Sequence, residues 1–240
     1  MKELTLMVCP HDTARNPGGW HRMVQYLTAR LTARIHFERS SDFAEFRQGI
    51  ASADLVYSNP TDSLSLIDAH GFYPLAHPAD TYDEALLIAG PEGDLPATEA
   101  IHGAMVATVT QLLPTRLATQ ALRERGIIPA SFAHRDSWLS VVRSVWNGEV
   151  PFGILYRDAY ESLSPQGREM VRIMEDTADH AAFHMLCAQP ARCDPLSTLT
   201  DLLASMGADP EGAAVLADLR IPGWLPVTDA DLARLRALVA

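Results

Sequence analysis

The hydrophobic positions along this chain form two alternating patterns, short apolar runs and longer stretches with helical spacing. The first run, residues 4–9, is apolar almost throughout and contains β-branched residues, as expected for a strand buried on both faces. Pro10 ends this run, and we predict a polar loop over residues 11–16. An amphipathic helix follows, from residue 19 to residue 33. A buried strand, a loop and a helix form the first unit of an open α/β sheet.

The same succession of patterns continues along the chain. The predicted strands lie at residues 35–38, 53–57, 72–76, 84–89, 105–109, 152–156 and 182–187. The predicted helices lie at 43–51 with Asp42 as cap, before Gly71 with Thr61 or Asp62 as cap, at 115–125, at 137–146, and through 195–240 except at 221–224. Turn residues at 90–96 interrupt this pattern, which then restarts. Strands that alternate with helices indicate mostly parallel sheets, and the restart indicates two lobes with a cleft between them.

The polar loop predicted at residues 11–16 follows directly from a buried strand. In open α/β sheets, ligands bind beyond the carboxyl ends of the strands, where polar side chains and free helix N–H groups meet. We therefore expect this loop, which begins with His11 and Asp12, to form one wall of a binding site. An ordinary surface loop is an equally good interpretation of any single residue in it.

The composition limits the kinds of partner that the protein binds. The chain has 240 residues, of which 48% are hydrophobic, enough for one large domain or two small ones. Its formal net charge is −11, from 30 acidic and 19 basic residues, and it lacks the basic stripe that nucleic-acid binding requires. Nucleic acid is therefore not an expected partner. A small anion remains compatible with the sequence, because a local field can oppose the global one.

The cysteines and the start of the chain bear on its compartment. The three cysteines, Cys9, Cys187 and Cys193, are an odd number in a chain too long to need disulfides, and a reducing compartment is the simpler interpretation. No apolar run reaches membrane-spanning length, and no apolar leader segment precedes the first strand. We expect a cytoplasmic protein from the sequence as it stands, and a periplasmic one if an export signal has been removed.

Two histidines near a cysteine raise the question of a metal site. His180, His184 and Cys187 would share a helix face, but their surroundings have the pattern of a strand, which would hold the two histidines too far apart. We therefore expect no metal ion and no cofactor. The sequence has no nucleophile-elbow, P-loop or dinucleotide-binding motif. His11 beside Asp12 is the only candidate acid–base pair.

Three stretches of the chain carry a resemblance to a known family. They are WHRMVQYLTARL with the following DFAEFRQGIASADLVYSNP, then SWLSVVRSVWNGEVPFGILYRDAYESL, and finally DPEGAAVLADLRIPGWLPVTDADLARLR. In these stretches the chain resembles the phosphate/phosphite/phosphonate-binding proteins of ABC transporters, which have the type II periplasmic-binding-protein fold. The similarity keeps the order of the family's segments over nearly the whole length.

The resemblance implies an α/β fold with two lobes, mostly parallel sheets and a central cleft. The first lobe would be discontinuous, residues 1–87 with 189–240, and the second lobe, residues 88–188, would be inserted between them. The ligand would be held in the hinge cleft, and the lobes would close on it by a hinge motion.

The resemblance also implies where the ligand binds. In the family, the anion is held by hydroxyls and backbone N–H groups at the start of a second-lobe helix, in a Ser-Thr-Ser-Gly-like motif. The matching stretch here is residues 107–111, which keeps Thr108 and Thr110 but lacks the flanking serine and the glycine. The other implied ligand-binding residues are His11, Tyr57, Ser58, Asn59 and Tyr82 in the first lobe, and Trp138 and Asp158 in the second. Asp158 would face a ligand amine, although it could equally be a solvated residue at a strand end.

These implications predict a solute-binding protein that captures a small oxyanion, a phosphonate or a phosphate relative, for transport or sensing. Its protein partner would be an ABC-transporter permease or a signalling partner. The alternative is a cytoplasmic enzyme with the same fold, such as the menaquinone-pathway enzymes of the futalosine route or the thiamine-pyrimidine synthases. A binding protein gains thermal stability from its ligand without turnover, whereas an enzyme consumes it.

Overall fold

The computed structural model describes residues 2–109, 112–177, 180–193 and 195–239. The strands are β1 (Lys2–Val8), β2 (Ala33–Glu38), β3 (Leu55–Ser58), β4 (Tyr73–Pro78), β5 (Ala85–Ala89), β6 (Met105–Thr108), β7 (Ser131–His134), β8 (Phe152–Tyr156), β9 (Arg172–Asp176), β10 (Met185–Ala188) and β11 (Trp224–Leu225). The α-helices are α1 (Pro10–Arg15), α2 (Pro17–Arg30), α3 (Phe43–Gly49), α4 (Pro60–His70), α5 (Leu113–Glu124), α6 (Trp138–Trp146), α7 (Arg157–Glu161), α8 (Pro165–Glu169), α9 (Leu196–Ser205), α10 (Pro210–Leu219) and α11 (Asp229–Val239).

The chain divides into two compact units. The first unit is Met1–Tyr82 with Phe183–Ala240, and the second is Asp83–Ala182. The lobe boundaries predicted after residues 87 and 188 lie a few residues later in the chain than these divisions. The difference arises because β5 pairs with β8 and β9 in the second unit, whereas β10 pairs with β3 and β4 in the first.

The first unit is built on a six-stranded sheet in the order β11-β4-β10-β3-β1-β2. Strand β1 lies parallel to β2 and β3, and β10 runs antiparallel to both β3 and β4. Helices α2, α9 and α10 cover the sheet with an apolar core, in which buried leucines from strands and helices pack together. These leucines include Leu6, Leu55, Leu27, Leu203 and Leu216. The strand predicted at residues 4–9 therefore contributes to this core, through Leu4, Leu6 and Val8.

The second unit is built on a five-stranded sheet in the order β7-β6-β8-β5-β9. Strand β6 lies parallel to β7 and β8, while β5 runs antiparallel to β8 and β9. Adjacent residues of β5 point to opposite faces, so Leu87 packs toward α5 and Ile88 toward α6. Both faces of this sheet are therefore buried, which explains the continuous apolar sequence of β5. The α/β fold with parallel strands at the core of two sheets is confirmed.

Several local predictions were wrong, each for a physical reason. The loop predicted at residues 11–16 is mostly helix α1, because Pro10 fits the first helical turn and needs no N–H partner there. Asn16 ends α1, and its Oδ1 atom caps α2 by accepting the Gly19 N–H at 2.9 Å. Neither Thr61 nor Asp62 caps α4, because Asn59 occupies that position and Pro60 begins the helix.

Three strands were not predicted from the sequence. Strands β7 and β9 are largely half-buried or exposed and carry little apolar alternation, and β11 has only two residues.

Among the described residues, no helix has both the length and the apolar character needed to cross a membrane.

Candidate ligand-binding site

In the first unit, a pair of buried hydroxyls joins the end of β3 to helix α4. The Oγ atoms of Ser58 and Ser63 lie 2.7 Å apart, and the Ser63 hydroxyl donates to the Ser58 carbonyl at 3.0 Å. Both side chains are fully buried. The predicted site residue Ser58 therefore fixes the strand end against the helix.

The second unit repeats this arrangement between β6 and helix α5. The Oγ1 atoms of Thr108 and Thr115 lie 2.6 Å apart, and the Thr115 hydroxyl donates to the Val109 carbonyl at 2.8 Å. Because that bond uses the Thr115 proton, Thr108 is the donor within the pair. Thr108 is fully buried. Thr110, which was also predicted to bind the ligand, lies outside the described residues.

The first turn of α4 is filled by side chains of its own unit. Asn59 Oδ1 accepts the Asp62 N–H at 3.0 Å, and Asn59 Nδ2 donates to Asp62 Oδ2 at 2.6 Å. The other carboxylate oxygen of Asp62 accepts from Arg47 Nε at 2.8 Å. The positive end of this helix dipole is therefore balanced by an internal carboxylate.

The first turn of α5 is different. The residue at its N-cap position, Leu112, makes no side-chain capping bond, and the turn itself contains no acidic residue. Leu113 and Pro114 open the helix, so apolar side chains stand where α4 has an amide and a carboxylate. Within the described part of the chain, this helix start therefore lacks the carboxylate that balances α4, and backbone N–H groups there favour an oxyanion.

The structure places Tyr57 inside an aromatic cluster of the first unit. Its ring centroid lies 4.7 Å from that of Trp20, 5.7 Å from that of His184 and 6.0 Å from that of Trp224. Tyr57 is buried, whereas His11 is exposed on α1. Tyr82 is half-buried, with its ring centroid 6.5 Å from that of Phe183.

The other two predicted residues of the second unit, Trp138 and Asp158, lie at the beginnings of two helices. Trp138 begins α6 after Ser137, whose hydroxyl accepts the Ser140 N–H at 3.2 Å. The Trp138 ring centroid is 6.3 Å from that of Tyr156, and Asp158 follows Tyr156 on the half-buried helix α7. The structure therefore brings Trp138 close to Tyr156, the last residue of β8, from which α7 with Asp158 begins.

Sequence reasoning missed one polar cluster in the first unit. Cys9 Sγ donates to Asp12 Oδ2 at 3.0 Å, and His184 Nδ1 lies 2.9 Å from the same oxygen. Burial alone would raise the pKa of Asp12, but the charge and hydrogen bond of His184, with smaller effects of Cys9 and His11, hold this pKa below its ordinary value. Cys187, which the sequence placed near His184, instead contacts Ser63.

One signal for this cluster was present in the sequence. Cys9 and Asp12 are three residues apart, the spacing of one helical turn, but the expectation of a loop at residues 11–16 hid that relation. The third member, His184, is 172 residues from Asp12, and no local pattern joins them.

The fold is that of the type II periplasmic binding proteins, with two α/β units and two separate sheets. The family model described as "ABC transporter, phosphonate, periplasmic substrate-binding protein" matches residues 7–232. The chain belongs to this family of transporter substrate-binding proteins. No match to the chain was found among curated protein sequences.

Solved structures of binding proteins share this fold over almost the whole chain. XAC2383 from Xanthomonas citri bound to chloride is 17% identical, with a TM-score of 0.73 over 98% of this chain and 95% of that one. PhnD1 from Prochlorococcus marinus in complex with methylphosphonate is 10% identical, with a TM-score of 0.75 over 99% and 97%. The aliphatic sulphonate binding protein SsuA from Escherichia coli is 12% identical, with a TM-score of 0.71 over 99% and 85%.

Proposed function

We propose that this protein reversibly captures a phosphonate, or a close phosphate relative, and delivers it to an ABC-transporter permease. The observation that carries the proposal is the start of α5, where no carboxylate of the first turn and no capping side chain of Leu112 balances the helix dipole. An oxyanion at this position would accept the backbone N–H groups and gain from the dipole. Membership of the phosphonate-binding family supports this choice of ligand.

The head group of the ligand would lie at the start of α5. Thr110 would add a hydroxyl donor, while the buried Thr108 would act indirectly, by holding the end of β6 against Thr115. Charge-assisted hydrogen bonds contribute about 1.5–3 kcal/mol each, so a few backbone donors suffice for tight binding. The absence of the family's serine and glycine leaves these main-chain donors unchanged.

The remaining predicted residues would recognise the rest of the ligand. Tyr82 and Trp138, both half-buried, would pack against its organic part, and Asp158 would accept a hydrogen bond from an amine. His11 would contribute a polar contact from the first unit, whereas the Asn59 amide is bonded to Asp62, and we assign Asn59 the task of capping α4. Tyr57 and Ser58 are buried, and we assign them the task of holding the end of β3 in place.

Calorimetric titration of the full chain tests this proposal. The titrants are phosphate, methylphosphonate, 2-aminoethylphosphonate and methanesulfonate, and we expect one of the three phosphorus compounds to bind most tightly. Thr108→Ala should weaken binding about tenfold, because it removes the hydrogen bond to Thr115, worth about 1 kcal/mol or somewhat more, that holds the start of α5 in its binding position. Thr108→Ser keeps the hydroxyl and should bind as the wild type does. Tightest binding of methanesulfonate would replace the phosphonate assignment with a sulfonate one, and no binding of any oxyanion would overturn the proposal.

A second comparison tests the role of Asp158. Asp158→Asn should weaken binding of 2-aminoethylphosphonate and leave methylphosphonate unaffected, because the amide keeps the shape of the side chain but loses its charge. Glu161→Gln, on the same helix, is the matched control and should change neither affinity. Equal effects of Asp158→Asn on both ligands would remove Asp158 from the amine site.

The choice between transport and the other candidate functions needs separate measurements. Thermal stabilisation by a phosphonate that is recovered unchanged after incubation is the result expected for a binding protein. Consumption of the phosphonate would favour the enzyme alternative. Capture of a signalling protein, rather than a permease, by the ligand-bound chain would favour sensing.

A further inference from the structure

Three side chains with metal-binding atoms converge in the first unit, although they come from distant parts of the chain. Cys9 directly follows β1, Asp12 lies on α1, and His184 directly precedes β10. One ligand atom from each residue lies within 4.8 Å of the other two. We propose that Cys9, Asp12 and His184 form a binding site for a divalent transition-metal ion, with Zn²⁺ as the ion that fits best.

The spacing of the ligand atoms is close to that of a zinc site. The Asp12 Oδ2 atom lies 3.0 Å from Cys9 Sγ and 2.9 Å from His184 Nδ1. A tetrahedral zinc ion with ordinary bond lengths separates its ligand atoms by about 3.3–3.6 Å. Side-chain rotations that move these atoms by a few tenths of an ångström would therefore replace the hydrogen bonds by bonds to one ion, and the protons of the hydrogen bonds, including that of the Cys9 thiol, would pass to solvent.

The surrounding structure holds each of the three residues in position. The Cys9 N–H donates to the Tyr57 carbonyl at 2.9 Å, and the Cys9 carbonyl accepts the Thr13 N–H at 3.0 Å. The first bond fixes Cys9 to β3, and the second fixes it to the helix that carries Asp12. The His184 ring contacts the buried ring of Tyr57, with 5.7 Å between their centroids. A site held by strand ends and packed rings needs little reorganisation to bind an ion.

The chemistry of the three donors selects a class of ion. Sulfur and imidazole nitrogen are poor ligands for Ca²⁺ and Mg²⁺, which prefer oxygen, but good ligands for Zn²⁺ and its first-row neighbours. Three protein ligands leave one tetrahedral position for water or a small ligand. The side chains of His184 and Asp12 are 14% and 19% exposed, so an ion can reach the cluster from their side while Cys9 remains buried.

Titration of the metal-free full chain with Co²⁺ tests the site, because cobalt reports a thiolate ligand through its charge-transfer absorption. One equivalent of Co²⁺ should produce this absorption, and Zn²⁺ should displace it. Cys9→Ser should abolish the charge-transfer band, and Asp12→Asn and His184→Gln should each weaken metal binding by at least about tenfold. All three substitutions are close in size to the original residue, and circular dichroism checks that each variant folds.

The chain offers matched controls for this experiment. Cys193→Ser changes a buried cysteine of the same unit whose Sγ contacts the Asp54 carbonyl, and His70→Gln changes the exposed last residue of α4. Both controls should bind Co²⁺ as the wild type does. A charge-transfer band that survives in Cys9→Ser, or metal affinities unchanged in Asp12→Asn and His184→Gln, would overturn the proposal. So would a wild type that gives no band.

This proposal is independent of the proposed oxyanion function, because it rests on side chains outside the start of α5. The metal titration contains no phosphonate, and the phosphonate titration uses chelator-treated protein. Failure of either therefore leaves the outcome of the other intact.

Discussion

Helices α4 and α5 are joined to their preceding strands in the same way but differ in what fills their first turns. In both, a hydroxyl on the helix pairs with a hydroxyl at the strand end, at 2.7 Å in the first unit and 2.6 Å in the second. At α4, an amide and a carboxylate occupy the helix start. At α5, the capping position holds Leu112, which makes no capping bond.

This difference shows how two similar strand–helix junctions acquire different tasks. A carboxylate that is built into the first turn stabilises the helix permanently and competes with any external anion. A helix start without that carboxylate gives up some stability but keeps its N–H groups for a ligand. We therefore interpret the α4 junction as structural and the α5 junction as the one suited to binding.

The largest effect that tests this comparison is on the stability of the first unit. Asp62→Ala removes the acceptor of both the Asn59 amide and the Arg47 guanidinium at a buried position. We expect the free energy of unfolding in urea to fall by about 2–3 kcal/mol, since hydrogen bonds to charged groups are worth about 1.5–3 kcal/mol. Oxyanion binding should be retained by the folded fraction.

The same helix supplies the control for that measurement. Asp68 pairs with Arg236 near the other end of α4, and both side chains are about half exposed. Asp68→Ala should cost no more than about 1 kcal/mol, as is usual for surface ion pairs. Equal losses from the two variants would mean that the carboxylate in the first turn of α4 has no special structural task.

Much of this architecture was predictable from the sequence, because buried strands leave a strong local signal. Strands β5 and β8 are continuous apolar runs, and β1 is apolar from Leu4 onward except at Thr5. The Asp42 cap of α3 was recognised from residue type and position alone. Strands β7 and β9 escaped prediction because their partly exposed residues need no apolar alternation.

The site was less predictable because its contacts join residues that are far apart in the chain. The pairing of Asp12 with His184 depends on β10 returning beside β3, which no local pattern encodes. The Thr108–Thr115 pair was missed for another reason, since a hydroxyl at a strand end looks the same in sequence whether it faces a ligand or a neighbouring helix.

A smaller effect is expected from giving α5 the helix start that α4 has. Leu112 is exposed, so Leu112→Asp can add a capping carboxylate without disturbing the core. The new side chain should raise helix stability by about 1 kcal/mol and weaken methylphosphonate binding at least about tenfold, because it competes for the same N–H groups. Calorimetric titration measures the loss, with Leu112→Ala as the control that removes the leucine but adds no acceptor. Unchanged affinity in Leu112→Asp would move the head group away from α5.

The smallest expected effect is on the pH dependence of stability, which should differ between the two units. In the first unit, burial lowers the pKa of His77 below its ordinary 6.5, outweighing the Pro78 carbonyl and Asp231, which raise it. In the second unit, the Thr98 hydroxyl and then Arg125 lower the pKa of Glu175 below its ordinary 4.5. In both cases the unfolded chain binds more protons than the folded chain between the two pKa values, so stability falls as the pH falls through that range.

The two groups therefore act in different pH windows. The contribution of His77 is lost as the pH drops below about 6.5, and that of Glu175 only below about 4.5. His77→Gln keeps a donor for the Pro78 carbonyl but cannot take up a proton, so its melting temperature should fall less than that of the wild type between pH 7 and pH 5. We expect the difference to be no more than about 4 °C, the size of a change near 1 kcal/mol in a chain of this length.

Glu175→Gln is the matched variant, and it should follow the wild type between pH 7 and pH 5 and diverge only in stronger acid. If His77→Gln and the wild type lose stability in parallel from pH 7 to pH 5, another group is responsible for the acid response of the first unit.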